Sequence, residues 1–521
     1  MKETNETISL MKRRKKGFFG ILFSRIGFIA LLMLLQIALL LVLYFWINDY
    51  FRWFTGVEWI FSIGVTIYLL STPMDPSAKL TWLFFILSFP IPATIMLWFT
   101  KNDVGHRRIK NRVDQLISET SDALPQSPGI LDDERVRKSG LTELSRYINN
   151  SGCFPVYRNT SVRYFPEGQK YYDALTRELK KAEKYIYMEY FIVDEGYMWG
   201  SIMKILSEKA SQGVDVRLMY DGMCEISNVT SDYSRRLCGI GIKSKPFSPI
   251  RPFISTYYNY RDHRKILVID GKTAFNGGIN LADEYINKKD RFGHWKDAAV
   301  MLRGEAVQSF TLMFLQMWNL DEKSPSWDQA LVSTTPEKAE GFVMPYSDSP
   351  LDGEKVGENV YIDILYRAEK YVHIMTPYLI LDNELQTAIE YASKRGIDVS
   401  IILPGIPDKL PAFALARSHY KRLTGSGVNI YEYTPGFIHS KVFVSDDKKA
   451  VVGTINLDYR SLYHHFECAT YMLETDCIDS IEADFSETLK SCRRITPETI
   501  KKEKLSYKLL GGVMKLIAPL M

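Results

Sequence analysis

Cysteine is scarce in this chain, and the few residues present do not pair. Cys153, Cys224, Cys238, Cys468, Cys477 and Cys492 are scattered over 521 residues without a C-x-x-C unit. That excludes a structural zinc site or a disulfide framework as the organising device, and a reducing compartment is the default. An excess of one charge sign is also missing. Lys and Arg number 65 against 61 Asp and Glu, a formal balance of +4, so the chain is not a wholly basic nucleic-acid binder. With 46% hydrophobic and 24% charged residues, it is neither disordered nor fibrous. Its length fits about three or four folding units.

Long apolar runs are present, and all lie near the N-terminus. Ile26–Ile47 is 22 residues without a charge, enough to span a hydrocarbon core of ~30 Å. Lys12–Lys16 ahead of it resembles the basic start of a signal peptide, but the run is too long, no A-x-A site follows, and more apolar sequence comes directly after. Leu80–Thr100 is a second charge-free run, with Pro90 and Pro92 inside it as kinks that a spanning helix tolerates. Trp59–Met74 between them reads as a short span or a re-entrant stretch. Residues 1–25 carry seven Lys/Arg against two Glu, and residues 101–112 carry five against one Asp. Positive flanks stay cytoplasmic, which requires an even number of crossings. Two crossings with an interfacial middle stretch are expected, giving a multi-pass cell-membrane protein with its catalytic domains in the cytoplasm.

From about residue 113 the pattern is α/β. Tyr185–Val193 and Val214–Tyr220 read as strands around a helix at Met203–Gly213. The order recurs as strand Tyr371–Leu381, helix Asn383–Arg395 and strand Ile397–Leu403. Gly213-Val-Asp-Val matches Gly396-Ile-Asp-Val. Such a long period means two homologous domains. The expected division is a membrane region over 1–112, domains over 113–330 and 331–500, and a basic amphipathic tail over 501–521 suited to an anionic lipid surface. Glu322–Gly341 is the polar linker. A C-terminal helix packed on the body is the competing reading of the tail, and Gly511-Gly512 weakens a helix in either case.

The sharpest signal occurs once in each half. His263-Arg-Lys265 leads to Asp270 and, after Gly277-Gly278, to Asn280. His439-Ser-Lys441 leads to Asp446 and, after Gly453-Thr454, to Asn456. The offset is 176 at every point, although the chain has only eight histidines. Ile266–Ile269 and Val442–Val444 have strand character, and residues i and i+2 of a strand share a face, so His and Lys project together. The glycine turn returns Asn towards them. An imidazole, an ammonium and an amide suit nucleophilic attack at phosphorus with neutralisation of the phosphoryl oxygens. A metal site is disfavoured because each His stands beside a Lys. Asp270 and Asp446 belong to the catalytic motif by pattern, yet their place at the far end of the strand fits holding a turn. A nucleophilic His needs its second nitrogen fixed by an acceptor, for which Asp297 and Glu467 are the candidates.

These paired H-x-K-x4-D motifs resemble those of the phospholipase D superfamily, and the chain from about Trp53 onward resembles its bacterial cardiolipin synthases. The resemblance also rests on Ser71–Trp82 (STPMDPSAKLTW), Thr376-Pro-Tyr, Ile402-Leu-Pro-Gly405, Tyr431–Phe437 and Asn456–Ser461. It implies two layered α/β/α domains about a pseudo-twofold axis with one active site between them. It implies a phosphohistidine on His263, acid/base work by His439, phosphoryl oxygens held by Lys265, Lys441, Asn280 and Asn456, and no metal or other cofactor. Phosphatidylglycerol would be both donor and acceptor, yielding cardiolipin and glycerol. Other readings are a phosphatidylserine synthase or other phosphatidyltransferase, a hydrolytic phospholipase D, a membrane-anchored nuclease, and an inactive scaffold. The last is opposed by two intact motifs. The nuclease is opposed by charge: the three basic segments leave residues 113–500 at −8, where nucleic acid would need an extended basic surface. Phe253, Tyr257, Tyr258 and Tyr260 are candidates for a lipid entrance, or for core packing.

Overall fold

The duplicated pattern folds into two sheets with the same strand order. The structure is a computed structural model. It describes residues 2–3, 6–11, 35, 38–39, 41–46, 54–101, 104–249, 259–327, 331 and 336–520. Two short strands, β1 (Lys2–Glu3) and β2 (Ile8–Ser9), pair near the N-terminus. The first half then supplies β3 (Thr160–Phe165), β4 (Tyr185–Tyr190), β5 (Asp215–Asp221), β6 (Lys243–Phe247), β7 (Arg261–Asp262), β8 (Lys265–Ile269), β9 (Thr273–Gly277), β10 (His294–Lys296) and β11 (Ala299–Gly304). The second supplies β12 (Phe342–Asp348), β13 (Tyr371–Met375), β14 (Asp398–Pro404), β15 (Asn429–Tyr433), β16 (Gly436–Ile438), β17 (Val442–Ser445), β18 (Lys449–Gly453), β19 (His465–Leu473) and β20 (Cys492–Arg494).

The first sheet runs β3-β11-β9-β8-β4-β5-β6 and the second β12-β19-β18-β17-β13-β14-β15-β20. The first seven strands correspond one to one, and β20 extends the second edge. Pairs β4–β5–β6 and β13–β14–β15 are parallel, and the rest of each sheet is antiparallel. All five residues of β8 are buried. They alternate by strand period: Ile266 and Val268 join the core that both halves share, Leu267 and Ile269 the core on the opposite face. Covered on both faces, the strand reads as a continuous apolar run.

Two strands are shorter than their sequence pattern. Residues 371–381 leave the sheet after Met375, where Pro377 follows without an N–H to donate. Residues 185–193 leave it after Tyr190. The helices Glu134–Ser139 and Leu141–Gly152 precede the first sheet, and the second of them packs against β12 and the helix Val356–Arg367 of the second half.

One of the apolar N-terminal runs, Leu80–Thr100, is built differently from expectation. Among the described residues, no helix is long and apolar enough to cross a membrane. Most of Ile26–Ile47 lies outside the described residues. Leu80–Thr100 is not one kinked helix but two, Pro76–Ser88 and Pro90–Lys101. The break falls at Phe89, with φ −144° and ψ 73°, because a residue before proline is pushed out of helical conformation. The helix Phe54–Ser71 packs against both, burying Leu69, Ile86, Ala93 and Leu97. Asp75 caps the middle helix, accepting from the Ser77 and Ala78 N–H groups at 2.9 and 3.0 Å. Residues 9–11 dock on the body through the Glu195 carboxylate.

The tail does form a helix, Leu505–Ile517. It lies on the helix Leu410–Gly425. Gly511 is the contact point: a Cβ there would sit 2.6 Å from the Ala414 carbonyl. The glycine that weakens the helix in sequence is what permits the close approach.

Candidate active site

Two exchanges of short strands build the centre. First-half β7 pairs in parallel with second-half β19, setting Asp262 against Phe466. First-half β10 pairs in parallel with second-half β16, setting Lys296 against Ile438. The His263 N–H donates to the Phe466 carbonyl at 3.0 Å, and the His439 N–H to the Lys296 carbonyl at 2.6 Å. Each histidine thus enters beside the residue that precedes the other half's carboxylate.

His263 Nδ1 lies 2.9 Å from Glu467 Oε1. His439 Nδ1 lies 2.6 Å from Asp297 Oδ2. All four residues are buried. A carboxylate acceptor at Nδ1 places the hydrogen there and leaves the Nε2 lone pair for chemistry. Both acceptor candidates from the sequence are brought to an imidazole, each across the interface between the halves.

The lysines are buried beside them. Lys265 Nζ donates to the His263 carbonyl at 2.5 Å. Lys441 Nζ lies 2.9 Å from His439 Nδ1 and also contacts the His439 carbonyl. Burial lowers Lys265 to about 8 and Lys441 to about 7. Burial, reinforced by the two lysines, holds both imidazoles well below their ordinary range. Burial also pushes the Asp297 carboxyl up to about 7, against the pull of Lys441. Without a bound anion, both histidines are neutral.

The two aspartates of the motif lie elsewhere. Asp270 accepts from the N–H groups of Glu183, Lys184 and Tyr185 at 2.7–2.8 Å. Asp446 does the same for Glu369, Lys370 and Tyr371 at 2.8–3.0 Å. Both have positive φ, 53° and 58°. They tie the far end of the motif strand to the start of its neighbour, the turn-holding place that their position in the motif suggests.

The asparagines differ from one another. Asn280 accepts from the Ile192 N–H at 2.9 Å and donates to the Tyr285 hydroxyl at 2.7 Å, so protein groups engage both ends of its amide. Asn456 is also buried, and its Oδ1 has no hydrogen-bond partner among the described residues.

Several contributors were not singled out from the sequence. Glu467 also accepts from the Thr454 hydroxyl and from Ser461 Oγ at 2.6 Å. Gly278 occupies the position that matches Thr454, and a Cβ there would fall 2.1 Å from Asp297 Oδ1. The 176-residue offset names this Gly/Thr pair, so the signal was present. Phe191 stands edge-on to His263 at 4.9 Å, and Trp295 and Tyr285 flank His439 at 5.3 and 5.5 Å. Of the entrance aromatics, Phe253, Tyr257 and Tyr258 lie outside the described residues. Tyr260 is partly buried against the core, 6.3 Å from the His464 ring.

Ligand atoms of His263, His465 and Glu467 lie within 4.8 Å of one another, a spacing that a metal ion can use. Glu467 is already committed to three protein donors, and the neighbouring Lys265 opposes a further cation. The donor set fits hydrogen bonding better than metal ligation.

A family model described as cardiolipin synthase, PLD-like domain, matches residues 175–318 and 361–489. An uncharacterized protein of Streptococcus mutans serotype c is 57% identical over 460 residues, covering 88% of this chain and all of that protein. The cardiolipin synthase of Halalkalibacterium halodurans is 31% identical over 512 residues, covering 96% of this chain and all of that one. The cardiolipin synthase of Geobacillus kaustophilus is 34% identical over 453 residues, covering 86% and 89%. Among solved structures, the phosphatidylserine synthase of Haemophilus influenzae Rd KW20 superposes with a TM-score of 0.55 at 16% identity, covering 74% of this chain and all of that one. At that identity the likeness is one of fold.

Proposed function

Since this chain belongs to the cardiolipin synthase family of phospholipase D-like proteins, we propose that it is a phosphatidyltransferase joining two phosphatidylglycerols into cardiolipin and glycerol. The observation that carries this reading is the pair of buried imidazoles, each oriented by the other half's carboxylate and each beside a buried lysine.

In the proposed sequence, His263 Nε2 attacks the phosphorus of one phosphatidylglycerol. The bond from phosphorus to the headgroup glycerol oxygen breaks, and His439 supplies the proton that this oxygen needs to leave as glycerol. His439, now neutral, takes the proton of a headgroup hydroxyl on the second phosphatidylglycerol. That oxygen attacks phosphorus and His263 departs. One difficult displacement becomes two easier ones. His439 is neutral in the free site because burial and two lysines depress it. A bound phosphodiester brings a negative charge that opposes the lysine field, so substrate binding itself raises His439 towards the acid form. Asp297, pushed up to about 7, shares that proton. Lys265, Lys441 and Asn456 hold the non-bridging oxygens, while Asn280 keeps its loop in place. No step draws on a metal or other cofactor.

The same reading sets the protein on the cell membrane, with the apolar segments before residue 101 in or on the bilayer and the catalytic halves cytoplasmic. Supporting it are the charge-free runs, the positive flanks, and exposed apolar residues on the helices between 54 and 101.

Purified protein supplied with phosphatidylglycerol micelles and chelator tests the proposal. Cardiolipin and glycerol in equal amounts are expected. Phosphatidate as the only lipid product would establish a hydrolase instead, and no turnover would refute the reading.

A further inference from the structure

The C-terminal helix carries an apolar surface that the chemistry does not use. Leu505, Leu509, Val513 and Leu516 are 70%, 63%, 63% and 36% exposed, and their spacing of four, four and three puts them on one face. The opposite face is occupied: Gly511 meets Ala414, and Tyr507 stacks edge-on with Phe413 at 6.2 Å.

We propose that this face seats the catalytic body on an anionic phospholipid bilayer and so brings the lipid headgroups to the active site. The inference rests on the proposed function and names the surface that delivers its substrate. Charge supports it. Lys501, Lys502, Lys504, Lys508 and Lys515 are exposed along the same segment and make no salt bridge among the described residues. The segment's acid, Glu503, is neutralised by Arg417 at 2.5 Å. An apolar stripe flanked by lysines matches an anionic interface.

Continuity supports it too. Thr81 donates to the Leu516 carbonyl at 2.7 Å, which joins the tail to the helix Pro76–Ser88, itself exposing Leu80, Phe84 and Leu87. The surface also reaches the chemistry. Residues 518–520 pack against the helix Tyr459–Tyr463, and the Pro519 carbonyl lies 3.4 Å from His464 Nε2, three residues before Glu467.

The test uses the full chain in vesicles, with Cys153, Cys238 and Cys492 changed to Ser. A polarity-sensitive label is placed at Leu509→Cys or Val513→Cys, with Lys138→Cys on the body as control. In phosphatidylglycerol-containing vesicles, emission at 509 and 513 is expected to shift to the blue and to be quenched by nitroxide-bearing lipid chains, while position 138 is unchanged. A solvent-like label at 509 overturns the proposal. So does protection that depends on protein concentration without lipid, which would mean a second copy covers the face. In a second arm, the double variant Leu509→Glu, Val513→Glu should lose on the order of tenfold turnover on vesicles and keep turnover of short-chain phosphatidylglycerol monomers. Equal loss on both substrates would mean damage to the fold and also overturns the docking role. Quenched labels at 509 and 513, together with an unsubstituted protein that turns over neither substrate, would leave docking intact and refute the transferase reading instead.

Discussion

The two halves share strand order, motif and glycine turn, yet they hold their histidines differently. His263 rests on a glutamate that also takes hydroxyls from Thr454 and Ser461. His439 rests on an aspartate over a glycine, with the Ala298 N–H as its other donor at 2.8 Å. A longer acid needs a side chain behind it to fix it; a shorter one needs the space that Gly278 leaves. Two hydroxyl donors hold Glu467 in place, and burial pushes Asp297 towards its neutral form. That asymmetry suits a permanent nucleophile opposite a proton carrier.

The largest expected effects test what the halves have in common. His263→Ala and His439→Ala should each reduce turnover by ~10⁴-fold or more; near-normal activity in either, measured as cardiolipin formed, would break the two-histidine mechanism. Next come the carboxylates. Glu467→Gln and Asp297→Asn should each cost about 10²- to 10⁴-fold in kcat with the fold intact, as loss of an orienting acid does. Gly278→Ala should mimic Asp297→Asn by displacing that carboxylate. Thr454→Ala should cost less than either, because Ser461 still holds Glu467. Equal losses in Gly278→Ala and Thr454→Ala would contradict the difference drawn between the halves.

The lysines give a thermal-stability effect. An unfolded Lys441 keeps its proton to ~10.4, while the folded one releases it near 7. Between those values unfolding takes up a proton, so stability rises with pH, and below 7 the cost of the buried charge is fully present. Lys441→Met should therefore abolish activity yet raise the melting temperature, more at pH 6 than at pH 9. A melting temperature that falls would contradict the cost assigned to burying the charge. The smallest effect concerns the motif aspartates. Asp270→Ala and Asp446→Ala should lose ~1–3 kcal/mol of stability, with activity per folded molecule, from titrated active sites, nearly unchanged.

Much of this was legible beforehand, for physical reasons. The apolar runs of β8 and β17 fix which residues are strand, and the fixed offset of 176 aligned His, Lys and Asn between halves. Asp297 and Glu467 were found as acids in need of a partner. Their crossing between halves was not legible, because β7–β19 and β10–β16 are pairings of two or three residues with no pattern of their own. Nor could spacing show that the Tyr285 hydroxyl accepts from the Asn280 amide while Ser461, its counterpart in the other half, serves Glu467 instead. The break at Phe89 was half visible: Pro90 and Pro92 signalled a distortion, and whether it kinks one helix or separates two depends on packing against Phe54–Ser71.

Trapping the covalent intermediate tests the account's centre most directly. The protein is mixed with phosphate-labelled phosphatidylglycerol, quenched in alkali where phosphohistidine survives, and mapped by peptide. The label should appear on the peptide bearing His263 and vanish in His263→Ala; in His439→Ala, where the leaving glycerol lacks its acid and the acceptor its base, label should form slowly, still map to His263 and clear slowly. Label on His439, or no acid-labile phosphoprotein under turnover, would contradict it.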